Sequence, residues 1–192
     1  MDQSALPHDD LSSALAAARA GDEAAFVTVW QALHPPLLRY LRVRGDEAPE
    51  DIASETWMHV VRGLPGFSGD AAAFRAWLFT IARHRAIDHG RARSRRPVVT
   101  VGEPAALPPH RVEPSAEEQV VANDATTRAL ELVSTLPPAQ AEMVMLRVVA
   151  GLEVADVATL VNKKPGAVRV AVHRALQTLA RHPDARADRE VV

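Results

Sequence analysis

Two segments of the sequence concentrate positively charged side chains that could bind phosphate groups. Residues 74–96 contain seven arginines and one acid, Asp88, and residues 161–182 contain five lysines or arginines and no acid. Residues 1–60 have the opposite balance, with ten acids and four arginines. Basic segments of this kind are typical of nucleic-acid-binding surfaces. The charge asymmetry therefore predicts different partners for different surfaces of the molecule.

Enzymatic chemistry has much weaker support in the sequence. His84 and Asp88 lie four residues apart on one face of a predicted helix, but His89 points away from them and no second ligand pair is near in sequence. No nucleophile–base pattern is visible. The absence of cysteine excludes thiolate zinc sites and a cysteine nucleophile. We therefore expect a protein that is not an enzyme and that uses no metal or cofactor.

The elements that must position the basic segments are helices. Alanine is abundant and strand patterns are scarce, so the sequence predicts an all-α protein of two small helical modules. The modules span 11–96 and 115–182, and a flexible Pro-rich linker over 97–114 joins them. We expect residues 1–10 to be disordered and 183–192 to form a tail. No apolar run could span a membrane and no signal peptide is visible, which predicts a cytoplasmic protein.

Capping residues and breakers divide the N-terminal module into helices. The first helix is predicted from about Asp10 to Ala20 and the next from Asp22, with Phe26, Val29, Trp30 and Leu33 at core spacing. Pro35 and Pro36 are expected to interrupt that helix before it resumes over 37–43. The last two helices are predicted over 49–62 and, with Asp70 as the cap, over 70–96.

The C-terminal module contains the pattern of a helix-turn-helix. A short helix over 153–161, a turn over 162–164 and a helix from Pro165 to Arg181 match this motif. The apolar stripe expected to form its core is Val168, Ala171, Val172, Ala175, Leu176 and Leu179. The side chains expected to face DNA are Lys163, Lys164, Arg169, Val170, His173 and Arg174. Recognition helices enter the major groove with their N-terminal half, which is where these residues lie.

The N-terminal module combines aromatic, basic and acidic faces. Phe74 and Trp77 are expected in the core, whereas Phe67, in a glycine-flanked loop, could either hold an unstacked base or anchor the loop. The arginines that follow along the same helix could neutralise phosphates. Helix 49–62 places Asp51, Ser54, Glu55 and Met58 on one face. An acidic face would repel DNA, so we expect it to contact a protein.

These motifs together resemble a known family. The stretch PEDIASETWMHVVRGL (49–64), followed by FRAWLFTIARHRAIDHGRARSRRP (74–97), resembles region 2 of bacterial sigma factors. The stretch LPPAQAEMVMLRVVAGLEVADVATLVNKKPGAVRVAVHRALQTL (136–179) is similar to region 4. The short linker and the absence of a region 3 domain are typical of the extracytoplasmic-function (ECF) group of the sigma-70 family.

The resemblance implies roles for individual residues. Core RNA polymerase would be bound, through its β′ clamp helices, by Asp51, Ile52, Ser54, Glu55 and Trp57. The promoter −10 element would be bound and opened by Phe67, Ser68, Arg75, Arg83, His84, Arg91, Arg95 and Arg96. The −35 element would be read by Lys163, Lys164, Arg169, Val170, His173 and Arg174, with the module also contacting the β flap. An anti-sigma factor is a further partner that the resemblance suggests.

The sequence departs from the family pattern at four places, of which two are Lys163, where the family usually has an apolar residue, and Lys164, where it usually has a capping serine or threonine. His84 stands where the family usually has asparagine, and Val170-Ala171 replace a usual Ser-Arg pair. Val170 could contact a thymine methyl group instead. The alternative interpretation is a helix-turn-helix regulator that never engages polymerase, but that interpretation leaves helix 49–62 without a role.

Overall fold

The computed structural model describes residues 8–94 and 126–182, and within these two ranges every regular element is helical. This confirms the all-α prediction. The helices are α1 (His8–Arg19), α2 (Glu23–Val43), α3 (Pro49–Gly63), α4 (Ala71–Ser94), α5 (126–134), α6 (Pro138–Val144), α7 (Val154–Leu160) and α8 (Pro165–Arg181). The linker predicted over 97–114 and the tail over 183–192 lie outside the described residues. Residues 8–10, expected to be disordered, belong to α1.

Two aspartates fix the starts of the long N-terminal helices. Asp22 accepts a hydrogen bond from the Ala25 amide at 3.0 Å, and Asp70 accepts one from the Ala73 amide at 2.8 Å. Each bond satisfies an amide that has no partner inside the first turn of its helix. Gly21, with φ +97°, makes the turn between α1 and α2. The caps at Asp22 and Asp70 are therefore confirmed.

The predicted interruption of α2 is wrong. Pro35 and Pro36 lie inside one continuous helix over Glu23–Val43. The two prolines remove two backbone donors from the helix. The helix continues because it buries one apolar stripe on both sides of them: Val29, Leu33, Leu37, Tyr40 and Leu41. Tertiary burial thus outweighs the local cost of the prolines.

Helix α4 crosses the centre of the N-terminal module. Phe74, Leu78, Phe79 and Ile81 are buried along it, and the Phe79 ring packs edge-on against Tyr40 at 5.5 Å. Trp77 is only half-buried. Of the two aromatic residues expected in the core, Phe74 is therefore confirmed, whereas Trp77 is only partly buried.

The C-terminal module forms the predicted helix-turn-helix from α7 and α8. Asn162 takes a left-handed conformation, φ 53°, in the turn between them, which asparagine tolerates better than most residues. Val168, Val172 and Ala175 are the buried residues of α8. Leu176 is 42% exposed and so lies outside the core to which its spacing assigned it.

The two modules pack against each other. Helix α2 contacts α6 and the π-helical turn Met145–Val149 that follows it, and α4 contacts α7. Among the described residues, no helix is both long enough and apolar enough to cross a membrane.

Candidate nucleic-acid and polymerase interfaces

Helix α3 presents a mixed acidic and apolar outer face. Asp51 and Ser54 are exposed, and Met58 and Val61 are exposed by 51% and 52%. The spacing of three and four residues places all four on one side of the helix. Asp51 lies in the first turn, where the helix dipole favours a negative charge. Three of the four residues predicted on this face, Asp51, Ser54 and Met58, are therefore exposed together, and Val61 extends the face.

Ile52 and Trp57 belong to the predicted polymerase-binding set, and both are buried in this structure. Their exposed fractions are 2% and 6%, so neither side chain lies on the outer face of α3. The Trp57 indole donates a hydrogen bond to His34 Nδ1 at 3.2 Å and packs edge-on against Phe26 at 5.9 Å. Burial lowers the pKa of His34, with Arg42 contributing, which favours a neutral imidazole that can accept this bond. In this structure the two residues support the outer face from behind.

Glu55 lies at the junction of α3 and α4. Its Oε1 atom is 3.0 Å from Nε2 of His89. One turn further along α3, Nδ1 of His59 lies 3.3 Å from Nη2 of Arg85. These contacts join the two helices side by side. Glu55 is therefore half-buried and engaged within its own module, unlike the exposed Asp51 and Ser54.

Helix α2 adds exposed apolar side chains that the sequence interpretation missed. Val27 is 50% exposed, and Trp30, which was expected in the core, is 38% exposed. The Trp30 ring stacks on His34 at 4.4 Å, and His34 bonds to Trp57 of α3. Positions 27, 30 and 34 form a second stripe at helical spacing on α2, beside the buried stripe at 29, 33 and 37. That second stripe is the sequence pattern that indicates these exposed residues.

Phe67 anchors its loop in this conformation. Its ring stacks on Trp77 at 5.1 Å and meets Phe74 edge-on at 5.4 Å. Gly69, with φ +150°, lies so close that a Cβ there would be 3.1 Å from the Phe67 ring. Ser68 is exposed beside it. The anchoring role left open by the sequence is therefore observed, while binding of an extruded base stays a prediction.

On the outer part of α4, two residues of the predicted −10 set are described and exposed. His84 is exposed, and Arg91, whose side chain is 70% exposed, lies 3.9 Å from Asp88. Arg95 and Arg96 lie outside the described residues. Within the described part of the chain, no three His, Asp or Glu side chains converge in a way that could hold a metal ion.

Arg83 points into the contact between the two modules. Its Nε donates at 3.0 Å to Oε1 of Glu142, a residue of α6. Two further groups donate to the same oxygen, each at 3.0 Å. They are the Tyr40 hydroxyl, on α2, and Nη1 of Arg44, at the C-terminal end of that helix. Arg44 also pairs with Asp46 at 3.1 Å. The side chains of Arg44, Arg83 and Glu142 are 20%, 22% and 13% exposed, so this cluster is largely shielded from water.

Arg75 is covered by the C-terminal module as well. Gly151, with φ +70°, lies in the connection after the π-helical turn, and a Cβ on it would be 3.0 Å from Nη1 of Arg75. The Nε atom of Arg75 is buried and has no hydrogen-bond partner among the described residues. Burial also lowers the pKa of this guanidinium. Two of the predicted −10 contacts, Arg75 and Arg83, thus face the other module.

The recognition helix is in the opposite situation, because all of its predicted contacts are exposed. They are Lys163, Lys164, Arg169, Val170, His173 and Arg174. Val170 is 49% exposed between Arg169 and His173. Lys164 is the N-cap of α8 and makes no side-chain cap, and Pro165 follows it in the first turn. The six side chains therefore lie on one open, basic surface.

Comparisons with known proteins match both modules of this chain. The Sigma-70 region 2 family matches residues 29–96, and the Sigma-70 region 4 family matches residues 126–179. The chain is 37% identical to the ECF RNA polymerase sigma factor BldN of Streptomyces coelicolor over 85% of its own length and 62% of BldN. It is 36% identical to the ECF RNA polymerase sigma factor SigD of Mycobacterium tuberculosis, over 88% of this chain and 82% of SigD.

Two solved structures share the fold. CnrH, solved in complex with the cytosolic domain of CnrY, matches with a TM-score of 0.58 and 22% identity over 92% of this chain and 99% of CnrH. The sigma factor RpoE of Bartonella quintana, solved with the anti-sigma factor NepR, matches with a TM-score of 0.55 and 20% identity over 81% of this chain and 94% of RpoE. With the region 2 and region 4 matches in chain order, the chain belongs to the ECF subfamily of the sigma-70 family of RNA polymerase sigma factors.

Proposed function

We propose that this chain binds core RNA polymerase and directs it to promoters, where it recognises the −10 and −35 elements and helps to open the DNA. The observation that carries the proposal is the separation of surfaces. An exposed acidic and apolar face lies on α2 and α3, and an exposed basic face lies on α8. One surface suits a protein and the other suits DNA.

The polymerase-binding surface consists of the outer faces of α3 and α2. Exposed apolar side chains grouped on neighbouring helices are typical of protein interfaces. Met58 and Val61 on α3, with Val27 and Trp30 on α2, supply apolar area, and Asp51 supplies negative charge. The partner expected for this surface is the β′ clamp of core polymerase. The buried Ile52 and Trp57 hold the surface in place.

The −35 element is bound by α8 in the major groove. Lys163 and Lys164 lie at the N-terminus of the helix, where their charge adds to the positive end of the helix dipole. Arg169 and Arg174 offer donors to guanine edges or to phosphates. Val170 offers an apolar contact that suits a thymine methyl group.

The −10 element is bound by α4 and the loop that precedes it. Opening the duplex costs a few kcal/mol for each unstacked step, and capture of the extruded base offsets this cost. In the present conformation one face of the Phe67 ring stacks on Trp77, so a base cannot stack on that face. Ser68, next to Phe67, and His84, further along α4, are exposed and are available to the strand.

The bond-forming chemistry of initiation belongs to polymerase, and this chain supplies recognition only. We expect the protein to act in the cytoplasm, where polymerase and promoter DNA are found. Regulation by an anti-sigma factor stays a prediction. Such a partner would compete with polymerase for the acidic and apolar face of α2 and α3.

Two substitutions on the outer face of α3 distinguish the proposal from the alternative function, a helix-turn-helix regulator that never engages polymerase. The double variant Asp51→Arg with Met58→Asp should lose capture of core polymerase and run-off transcription, while duplex binding through α8 persists. Glu131→Arg, an exposed reversal on α5, is the matched control and should behave like the wild type. If the wild-type protein fails to support initiation by core polymerase on a genomic promoter library, the proposed function is wrong.

A further inference from the structure

Three donors of the N-terminal module converge on a single carboxylate oxygen of the C-terminal module. The Tyr40 hydroxyl, Arg44 Nη1 and Arg83 Nε each lie 3.0 Å from Oε1 of Glu142. Convergent guanidinium donors are the usual means by which proteins bind carboxylates and phosphates. Tyr40 is fully buried, and burial, followed by the neighbouring Glu142, raises the pKa of its hydroxyl. The hydroxyl therefore stays protonated and can donate to whichever anion is present.

The same contact removes DNA-binding groups from the surface. Arg83 is bonded to Glu142, and Arg75 lies under the connection at Gly151. Both arginines belong to the predicted −10 set, and the packing of the modules restricts the access of DNA to them. The recognition helix α8 is not restricted in this way, because its basic side chains are already exposed.

We propose that Tyr40, Arg44 and Arg83 form an anion-binding site on the N-terminal module, filled by Glu142 when the modules are packed together and by a backbone phosphate of promoter DNA when they separate. This inference rests on the proposed function, because promoter DNA is the source of the phosphate. The exchange keeps the charge balance of the site, since one anion replaces another against the same donors. Glu142 thereby links −10 binding to separation of the modules.

The link between −10 binding and separation of the modules gives a quantitative expectation. A protein whose binding-competent form is only a fraction of the population binds its ligand more weakly by that same fraction. If the packed form outnumbers the open form ten to one, removal of the Glu142 carboxylate should tighten −10 strand binding by about tenfold. The same change should leave the exposed α8 surface unaltered.

The experiment uses the full chain, which contains no cysteine and so accepts a pair of fluorescent labels at introduced cysteines. Exposed Ala16 and Ala180, one in each module, are suitable positions for energy transfer. The DNA probe is a labelled single-stranded dT12, because a backbone contact does not depend on base sequence. Binding is measured by anisotropy at several salt concentrations, and circular dichroism checks that each variant is folded.

The variants separate the two halves of the proposal. Glu142→Gln and Glu142→Ala should both lower energy transfer and tighten dT12 binding. Arg44→Gln should lower energy transfer to a similar extent, yet bind dT12 more weakly and with a salt slope reduced by about 0.7, the value for one phosphate on a single strand. Arg83→Gln takes its place if Arg44→Gln does not fold. Glu131→Gln is the matched control and should change neither signal.

Two results overturn the inference. One is that the Glu142 variants leave energy transfer and dT12 affinity unchanged. The other is that Arg44→Gln binds dT12 as tightly as Glu142→Gln, which would mean that no phosphate uses this site. Either result can occur while the wild-type protein still starts run-off transcription with core polymerase, so the failure of this inference is distinguishable from failure of the proposed function.

Discussion

The two basic helices, α4 and α8, have similar charge in the sequence but different exposure in the structure. On α8 every predicted DNA contact is exposed, whereas on α4 Arg75 and Arg83 face the C-terminal module. The difference arises from where each helix lies. Helix α8 closes a small helix-turn-helix and buries only one side, while α4 crosses the centre of its module and also meets α7.

This contrast shows that net charge along a segment does not measure an accessible surface. An arginine is available to DNA only where its side chain is exposed. Glu142 pairs with Arg83 of α4, whereas the predicted DNA contacts of α8 are exposed. We therefore expect duplex recognition by α8 to be constitutive and strand binding by α4 to depend on separation of the modules.

The largest expected effect concerns core side chains of the two helices. Phe79→Ala on α4 removes a fully buried ring beside Tyr40 and should lower the free energy of unfolding by about 3–5 kcal/mol. Leu176→Ala on α8, at 42% exposure, should cost under about 1 kcal/mol. Denaturant unfolding followed by circular dichroism measures both. Equal losses for the two variants would contradict the difference in burial.

The next effect compares exposed arginines. Arg169→Ala on α8 should weaken binding to a −35 duplex by about 1–3 kcal/mol and relax its base preference. Arg91→Ala on α4 should weaken binding to all sequences alike and reduce the salt slope by about 1. Competition binding against duplexes with single base changes separates the two patterns. If the two variants behave alike, the assignment of base contacts to α8 and phosphate contacts to α4 is wrong.

The elements of the fold were largely predictable because their signals are local. The caps at Asp22 and Asp70 and the turn at Asn162 fall where short-range chemistry places them. The continuous α2 was not predictable from the two prolines, because the burial that holds it together depends on other helices. Trp30 also carried the correct spacing for a core residue but faces outwards, since two apolar stripes compete on α2.

The contact between the modules could not be read from the sequence at all. Tyr40 and Arg44 are separated from Glu142 by 102 and 98 residues. No periodicity or spacing connects positions so far apart, and Tyr40 and Arg44 belong to no motif that suggested DNA or polymerase binding. Only the three-dimensional arrangement shows that two predicted −10 arginines already have neighbours from the other module.

A smaller effect is expected from two glycines, one beside Arg75 at the contact between the modules and one exposed in the first turn of α8. Gly151→Ala would require an L side chain at φ +70° and a Cβ 3.0 Å from Arg75, so it should lower stability by about 1–2 kcal/mol. Gly166→Ala in α8 meets no atom within 4 Å and should stabilise the helix by up to about 1 kcal/mol. Thermal unfolding of the two variants should therefore shift in opposite directions. A rise in stability for Gly151→Ala would show that Gly151 is not under the constraint described, and a fall for Gly166→Ala would contradict the open space at that position.

The smallest expected effect is a pH dependence confined to the N-terminal module. Burial lowers the pKa of His34, so between its lowered folded-state pKa and its usual value near 6.5 the unfolded chain binds more protons than the folded chain. Stability contributed by neutral His34 is therefore present above about pH 6.5 and is lost as the pH falls towards the lowered pKa. Tryptophan fluorescence reports this module selectively, because Trp30, Trp57 and Trp77 all lie within it. The slope of stability against pH over this window should flatten in His34→Gln, while an equal slope in the variant would assign the dependence to other groups.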